Sequence, residues 1–312
     1  MLHYILRQAI LLSDKITQIL VALYAKFPKK ISKIEIAQHS ILLDTSNPDG
    51  FIKMLLNPFV DVEEEECKAF SCLLQKDLTI LDIGANIGLY SLLAAAKSPS
   101  SKIYSFEPNP INATKLRRNI ALNQFTNIKL VEKAVGENKS TITFTVPLAA
   151  TATAVSSTNE AFTRLWHKDV KNIEVAQIAL DDFVAENNIE QIDIIKLDVE
   201  NYELEVLKGA QKTLAQMAPA IFMEIHLPEV LEEYFKGQAY TSLDKDFPFK
   251  IEALLVGLGY HIYCMGKQGV LKVPSVITHP DSRNYLFSKY NTQHYFTPFS
   301  SEDYSNLLSK TN

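Results

Sequence analysis

Residues 81–90 read LDIGANIGLY: an apolar run carrying Asp82, then Gly84 and Gly88 four residues apart. The segment reads as a buried strand, a tight turn and the opening of a helix. Glycine lets a backbone approach a ligand closely and take angles that other residues avoid. A plain strand-to-helix turn has the same outline, so the ligand must be argued from neighbouring residues. A phosphate loop needs GxxxxGK[ST], and no lysine follows Gly88. A dinucleotide site needs GxGxxG, and counting from Gly84 the other positions hold Asn86 and Leu89. S-adenosylmethionine remains. It has no pyrophosphate, so a third glycine is not needed, and its positive amine and sulfonium suit the carboxylate of Asp82.

Outward from this turn, strands and helices alternate. LTILDIG and NIGLYSLLAAAK lead to the strand KIYSFEP and to a helix, PINATKLRRNIALNQ, with proline near its start. NIKLVEKAVG reads as a third strand and STITFTV as an antiparallel one. QIDIIKLDV is a further continuous apolar strand, YELEVLKGAQKTLAQ a helix, AIFMEIHL a strand and PEVLEEYFKG a helix. FKIEALLVGLGY and HIYCMG give a last helix and strand, before a tail of short pieces over 270–312. Upstream, residues 28–55 read as short strands and turns, and DVEEEECKAFSCLLQ as a helix with its acids at the favourable end. Residues 148–175 are rich in Ala, Thr and Ser and show no firm period. The alternation predicts an α/β fold: a mostly parallel sheet with helices on both faces, binding ligands beyond the carboxyl ends of its strands.

The 312 residues carry a net charge of −5, so bulk electrostatics offer nucleic acid no basic face. Cys67, Cys72 and Cys264 form no CxxC pair and suggest a reducing, cytoplasmic compartment. The first residues are apolar but interrupted by Arg7, Asp14 and Lys15, short of the ~20-residue run a membrane span needs. They do repeat: Leu2, Ala9, Ile16 and Leu23 recur every seven, with Ile5, Leu12 and Ile19 as a second series. This predicts an N-terminal helix with one apolar seam. It would dock on its own domain, form a homodimer contact or lie on a membrane surface. The division expected is an N-terminal piece over 1–55 and a ligand-binding domain over 56–312.

The second strand ends in SFEPNP. A carboxylate there, Glu107, can accept from both hydroxyls of a ribose. That acid suits any adenosine ligand and does not choose among them. Lys133 and Ala134, after the third strand, stand where an adenine would lie.

Taken in order, LDIGANIGLYSLLAA, YSFEPNPINATKLRRNIALN, VEKAVGE, IALDDF, IIKLDVENYELEVLKGA and IFMEIH resemble the FkbM-type methyltransferases over roughly 62–226, and RNYLF at 283–287 resembles the family's closing strand. The resemblance implies a class I, Rossmann-like methyltransferase fold that uses S-adenosylmethionine to methylate hydroxyls, often on sugars of polyketides, glycolipids or polysaccharides. It implies that Asp82, Gly84, Asn86 and Gly88 line the methionine end of the cofactor, with Ala85 and Leu89 in the same loop. Glu107, with Pro108 and Asn109, would hold the ribose. Asp198 would sit beside the cofactor and Glu200 face the acceptor. One departure stands out: Asn201 occupies the place of the family's glycine in DVEG. Asparagine tolerates a left-handed backbone, so the turn is expected to survive.

Methyl transfer to a hydroxyl needs a base for the acceptor's proton and in-line alignment. Asp198 and Glu200, two apart at one strand end, and Glu224 and His226, two apart at the next, are the candidates. The same four side chains permit a metal-assisted alternative, although no metal is assigned. Glu203 reads as a helix-surface acid. Trp166, within TATAVSSTNEAFTRLWH, is a candidate lid residue for a small-molecule or glycan acceptor. The alternatives to this O-methyltransferase are a non-sugar acceptor and a non-catalytic partner protein of the same fold.

Overall fold

A computed structural model describes residues 31–44, 60–148, 156–227, 231, 244–266, 269–276 and 284–290. The expected N-terminal helix with its dimer contact, the SNPDG turn and most of PEVLEEYFKG lie outside the described residues.

The alternation becomes an eight-stranded sheet. In chain order its strands are β3 (Thr79–Ile83), β4 (Lys102–Phe106), β5 (Ile128–Val131), β9 (Ile194–Leu197), β10 (Ala220–Glu224), β11 (His261–Gly266), β12 (Gly269–Val273) and β13 (Asn284–Ser288). Their spatial order is β12-β11-β13-β10-β9-β3-β4-β5. From β10 to β5 every pairing is parallel; β13, β11 and β12 close the other side antiparallel. The chain winds from β3 toward β5 in one direction and from β9 toward β10 in the other. The switch point therefore falls between β3 and β9, where such sheets open a crevice. This is the class I methyltransferase architecture.

Alternate side chains along the central strands feed two cores. Ile80, Ile103, Ile194 and Phe222 pack beneath α1 (Val60–Leu73) and α2 (Leu89–Lys97). Leu81, Ile83, Ile195, Leu197 and Met223 face α5 (Leu180–Glu186), α6 (Glu203–Lys208), α7 (Gln211–Met217) and α8 (Phe247–Gly257). Burial on both faces is why these strands read as continuous apolar runs. The helix α3 (Pro110–Asn123) starts with proline at its first turn and an Asn109 side chain that accepts from Ile111 N at 3.0 Å. Its Asn119 and Asn123 bond the backbone of a hairpin, β1 (Ile31–Ile36) with β2 (His39–Asp44), at Asp44 N and Leu42 N. The described part of 1–55 is thus packed on α2 and α3.

Three local readings change. NIKLVEKAVG is two strands, because a turn closed by Lys133 N on Val131 O carries the chain from β5 to β6 (Ala134–Gly136) in a second sheet. That sheet runs β6-β8-β7, with β7 (Ser140–Pro147) antiparallel to β8 (Val170–Ala179). The stretch without a period contains α4 (Glu160–Trp166) and the start of β8. YELEVLKGAQKTLAQ breaks into α6 and α7 at Gly209, where a Cβ would lie 2.0 Å from the carbonyl oxygen of Gly136.

Gly84 sets the closest approach in the sheet. Its φ is +84°, and a Cβ there would lie 1.8 Å from the carbonyl oxygen of Asp198. Gly84→Ala is expected to destabilise the protein by about 2–3 kcal/mol or more through backbone strain and overlap. Urea denaturation checks this, and an unchanged midpoint contradicts it.

Candidate active site

The parallel register brings four strand ends level. Ile83 pairs with Phe106 and Leu197, and Leu197 with Met223. One residue further on stand Gly84, Glu107, Asp198 and Glu224. An open cleft lies over the first three, enclosing about 630 Å³ with the solvent at its mouth included.

Glu107 is buried, and backbone donors fix both of its oxygens: Asn86 N reaches Oε2 and Asn109 N reaches Oε1, each at 2.8 Å. Burial pushes its pKa up to about 7, against the pull of those bonds. Gly84 N and Ala85 N both donate to Phe106 O, which ties the glycine turn to β4. Gly84, Asn86, Glu107, Pro108, Lys133, Ala134 and Asp198 line the cleft.

Other expected cofactor residues stand elsewhere. Asp82 does not face the cleft. The alternation of β3 sends its carboxylate under α2, where it is 2% exposed and accepts from Ser91 Oγ at 2.5 Å. Burial raises its pKa to about 6. Gly88 caps α2 at φ +97°, and a Cβ there would lie 2.2 Å from Leu116 Cδ1, so helix packing accounts for this glycine. Ala85 is buried, Leu89 joins the core under α2, and Asn109 caps α3. None of the three lines the cleft.

Beyond the ends of β9 and β10, Glu200 lines the cleft, whereas Glu224 and His226 do not. His226 Nε2 lies 3.7 Å from Glu200 Oε2 and 3.9 Å from Glu224 Oε1. Glu203 is a correction: it sits at the start of α6, 2% exposed, and accepts from Val199 N at 3.1 Å instead of facing solvent. The turn it closes needs the left-handed backbone of Glu200 (φ +57°) and Asn201 (φ +69°). Asn201 therefore holds the conformation that glycine would supply. Ser157, bonded to Thr145 of β7 through its backbone, clamps the turn by donating from Oγ to Glu200 O at 2.6 Å. Burial raises Glu200 to about 7 and Glu203 to about 8. For His226 burial pulls the other way, but Glu224, Glu200 and Glu203 outweigh it and raise its pKa to about 9.

Sequence reading missed part of the wall. Phe144, Ser156, Thr158 and Tyr202 line the cleft, the first three from the second sheet and the segment that follows it. Ser156 and Thr158 lie where the sequence shows no period, Phe144 lies in the strand read from STITFTV, and Tyr202 lies within DVENYE. Trp166 packs with Phe162, Leu165 and Leu231 and does not line the cleft; Phe162 is the ring that meets His226, at 5.1 Å. Among the described residues, no group of three or more His, Cys, Asp or Glu could hold a metal ion, and no helix is long and apolar enough to cross a membrane.

The raised pKa values carry a stability prediction. Stability from Asp82, Glu107, Glu200 and Glu203 is full below their unfolded values near 4 and is lost as pH rises through about 6 to 8. The His226 contribution is full below 6.5 and is lost as pH rises through about 9. Glu203→Gln keeps the acceptor for Val199 N but cannot ionise. Its urea midpoint is expected to fall less than that of the unaltered protein between pH 5 and 8; parallel pH profiles would contradict the assignment.

A family model described as "Methyltransferase FkbM domain" matches residues 82–262. Methyltransferase sdnD of Sordaria araneosa is 31% identical over 172 residues, 48% of this chain and 66% of that protein. Hexuronic acid methyltransferase AglP of Haloferax volcanii is 28% identical over 185 residues, 57% of this chain and 71% of that protein. 2-O-methyltransferase NoeI of Sinorhizobium fredii is 27% identical over 185 residues, 57% of this chain and 75% of that protein. The chain thus spans slightly less than two thirds of the Sordaria protein's length. With its model matched over more than half its length, the chain belongs to the FkbM methyltransferase family.

Proposed function

We propose that the protein is an S-adenosylmethionine-dependent O-methyltransferase whose acceptor is a hydroxyl of a sugar, glycolipid or other small molecule. The single observation that carries this reading is Glu107, a buried carboxylate at the end of β4 whose two oxygens are held in place by Asn86 N and Asn109 N. The Asn112 side chain also bonds this carboxylate, and of its roughly four acceptor sites the one left open suits a ribose hydroxyl. The donor set fits this cofactor. On the cleft wall Glu107, Asp198 and Glu200 outnumber the one cation, Lys133, which favours a cationic ligand over a diphosphate. The names of AglP and NoeI, a hexuronic acid methyltransferase and a 2-O-methyltransferase, support a hydroxyl acceptor on a sugar. The three free cysteines fit a cytoplasmic setting.

Bound S-adenosylmethionine supplies an electrophilic methyl group. Glu107 would hold the ribose, with Gly84, Asn86 and Asp198 toward the methionine end and Lys133 and Ala134 toward the adenine. Glu200 takes the acceptor's proton on a carboxylate oxygen, since its raised pKa lies near neutrality, where a general base works best. His226 is protonated at neutral pH, so it serves as a fixed positive partner that orients Glu200. Glu224 holds His226 from its other side.

Glu107→Ala is expected to weaken S-adenosylhomocysteine binding by ~1.5–3 kcal/mol, the value of a charged hydrogen-bonded contact. Calorimetric titration reads this, and an unchanged affinity would remove Glu107 from the ribose site. Glu200→Gln should bind the same ligand as the unaltered protein does and lose turnover, on the order of 10²-fold or more for a lost general base. Loss of ligand binding in that variant would make Glu200 a cofactor residue instead.

A further inference from the structure

Strand β9 reads Ile-Ile-Lys-Leu, and its lysine lies in the middle of the sheet. Lys196 pairs in register with Asp82 on β3 and with Phe222 on β10. Its side chain is 2% exposed. Burying an ammonium costs several kcal/mol unless it is compensated, and an apolar residue of equal length would satisfy a central strand without that cost. Packing therefore does not explain a lysine here.

Its surroundings do. Nζ lies 3.2 Å from Asp198 Oδ2, two residues along the same strand face. The ring centroids of Tyr90 and Phe222 lie 4.7 and 5.6 Å from Nζ and close the sides. Burial pulls its pKa down, but Asp198, Glu224, Asp82 and Glu66 outweigh that pull and keep it a cation. The ammonium lies below the ligand-facing residues, and Lys196 does not line the cleft, whereas Asp198 does and is 30% exposed. A carboxylate so placed would rotate in solvent unless one of its oxygens were held from beneath.

We propose that Lys196 is a positioning residue. By holding Oδ2 of Asp198 from inside the sheet, it fixes the orientation in which that carboxylate meets the methionine end of the cofactor. The proposal rests on the reading of the cleft as an S-adenosylmethionine site. Lys196 makes no contact with the ligand itself and acts through Asp198.

A double-mutant cycle tests it, with S-adenosylhomocysteine affinity measured by calorimetry and folding checked by urea denaturation. The four proteins are the unaltered chain, Lys196→Met, Asp198→Asn and the double variant. Lys196→Met is expected to weaken binding about tenfold or more, in keeping with a lost charge-assisted bond. Asp198→Asn should weaken it at least as much, and the double variant should bind as Asp198→Asn does. A lysine that mattered only for packing would lower affinity independently of Asp198, and the two losses would multiply; that result overturns the proposal. Lys196→Ile, apolar like its neighbours on the strand, completes the same cycle if the methionine variant does not fold. No binding by the unaltered protein would instead bring down the cofactor reading, so the two failures are told apart.

Discussion

Two adjacent rows of side chains across the parallel strands hold the molecule's chemistry together. The lower row is Ser105, Asp82, Lys196 and Phe222, in register from β4 to β10. Two residues on, the upper row is Glu107, Gly84, Asp198 and Glu224. Because strand side chains alternate with period two, a slip of one residue in any pairing would send these groups to the opposite face. Register, more than any single contact, therefore decides whether a site exists. Gly84 is the member of the upper row without a side chain, and there the strand ends come too close for one.

Three of the four residues of the lower row, Ser105, Asp82 and Lys196, are polar and buried. Ser91 from α2 bonds both Asp82 and Ser105, and Lys196 supplies the cation. Buried polar groups demand partners, and here they are satisfied among themselves beneath the cleft. Above them the same low-polarity setting raises the pKa values of Glu107 and Glu200 toward neutrality. One physical cause thus serves two ends: it makes the carboxylates responsive near pH 7, and it makes the fold sensitive to rising pH.

The turn after β9 depends on a different device. Glu200 and Asn201 take left-handed backbone angles, a conformation that costs about 1–2 kcal/mol in residues with a Cβ. Glu203 closes the turn from one side and Ser157 clamps it from the other. Ser157 follows β7, so the second sheet also shapes the turn that carries Glu200. Strained residues held by surrounding bonds are common where geometry has to be fixed before a ligand arrives.

Much of the frame was legible because its signals are local. The apolar runs of β3, β9 and β10, the proline of α3 and the acid after β4 each announce themselves within a few residues. What the sequence hid depends on distant contacts. Gly209, between two helices, has no room for a side chain because Gly136 passes nearby, and the buried Glu203 accepts from Val199 N. Asp82 turns from the cleft because strand alternation carries it under α2. Phe144 reaches the wall from β7 and Ser156 and Thr158 from the segment without periodicity, and Trp166, the sequence's candidate lid, packs beside Phe162 instead. On this reading the cleft over β3, β4 and β9 holds the methyl donor by its ribose. A crystal structure of the protein grown with S-adenosylhomocysteine tests it most directly. The account predicts a ribose hydroxyl on the Glu107 carboxylate; well-formed crystals with the ligand absent from this cleft, or bound with its ribose away from Glu107, would contradict it.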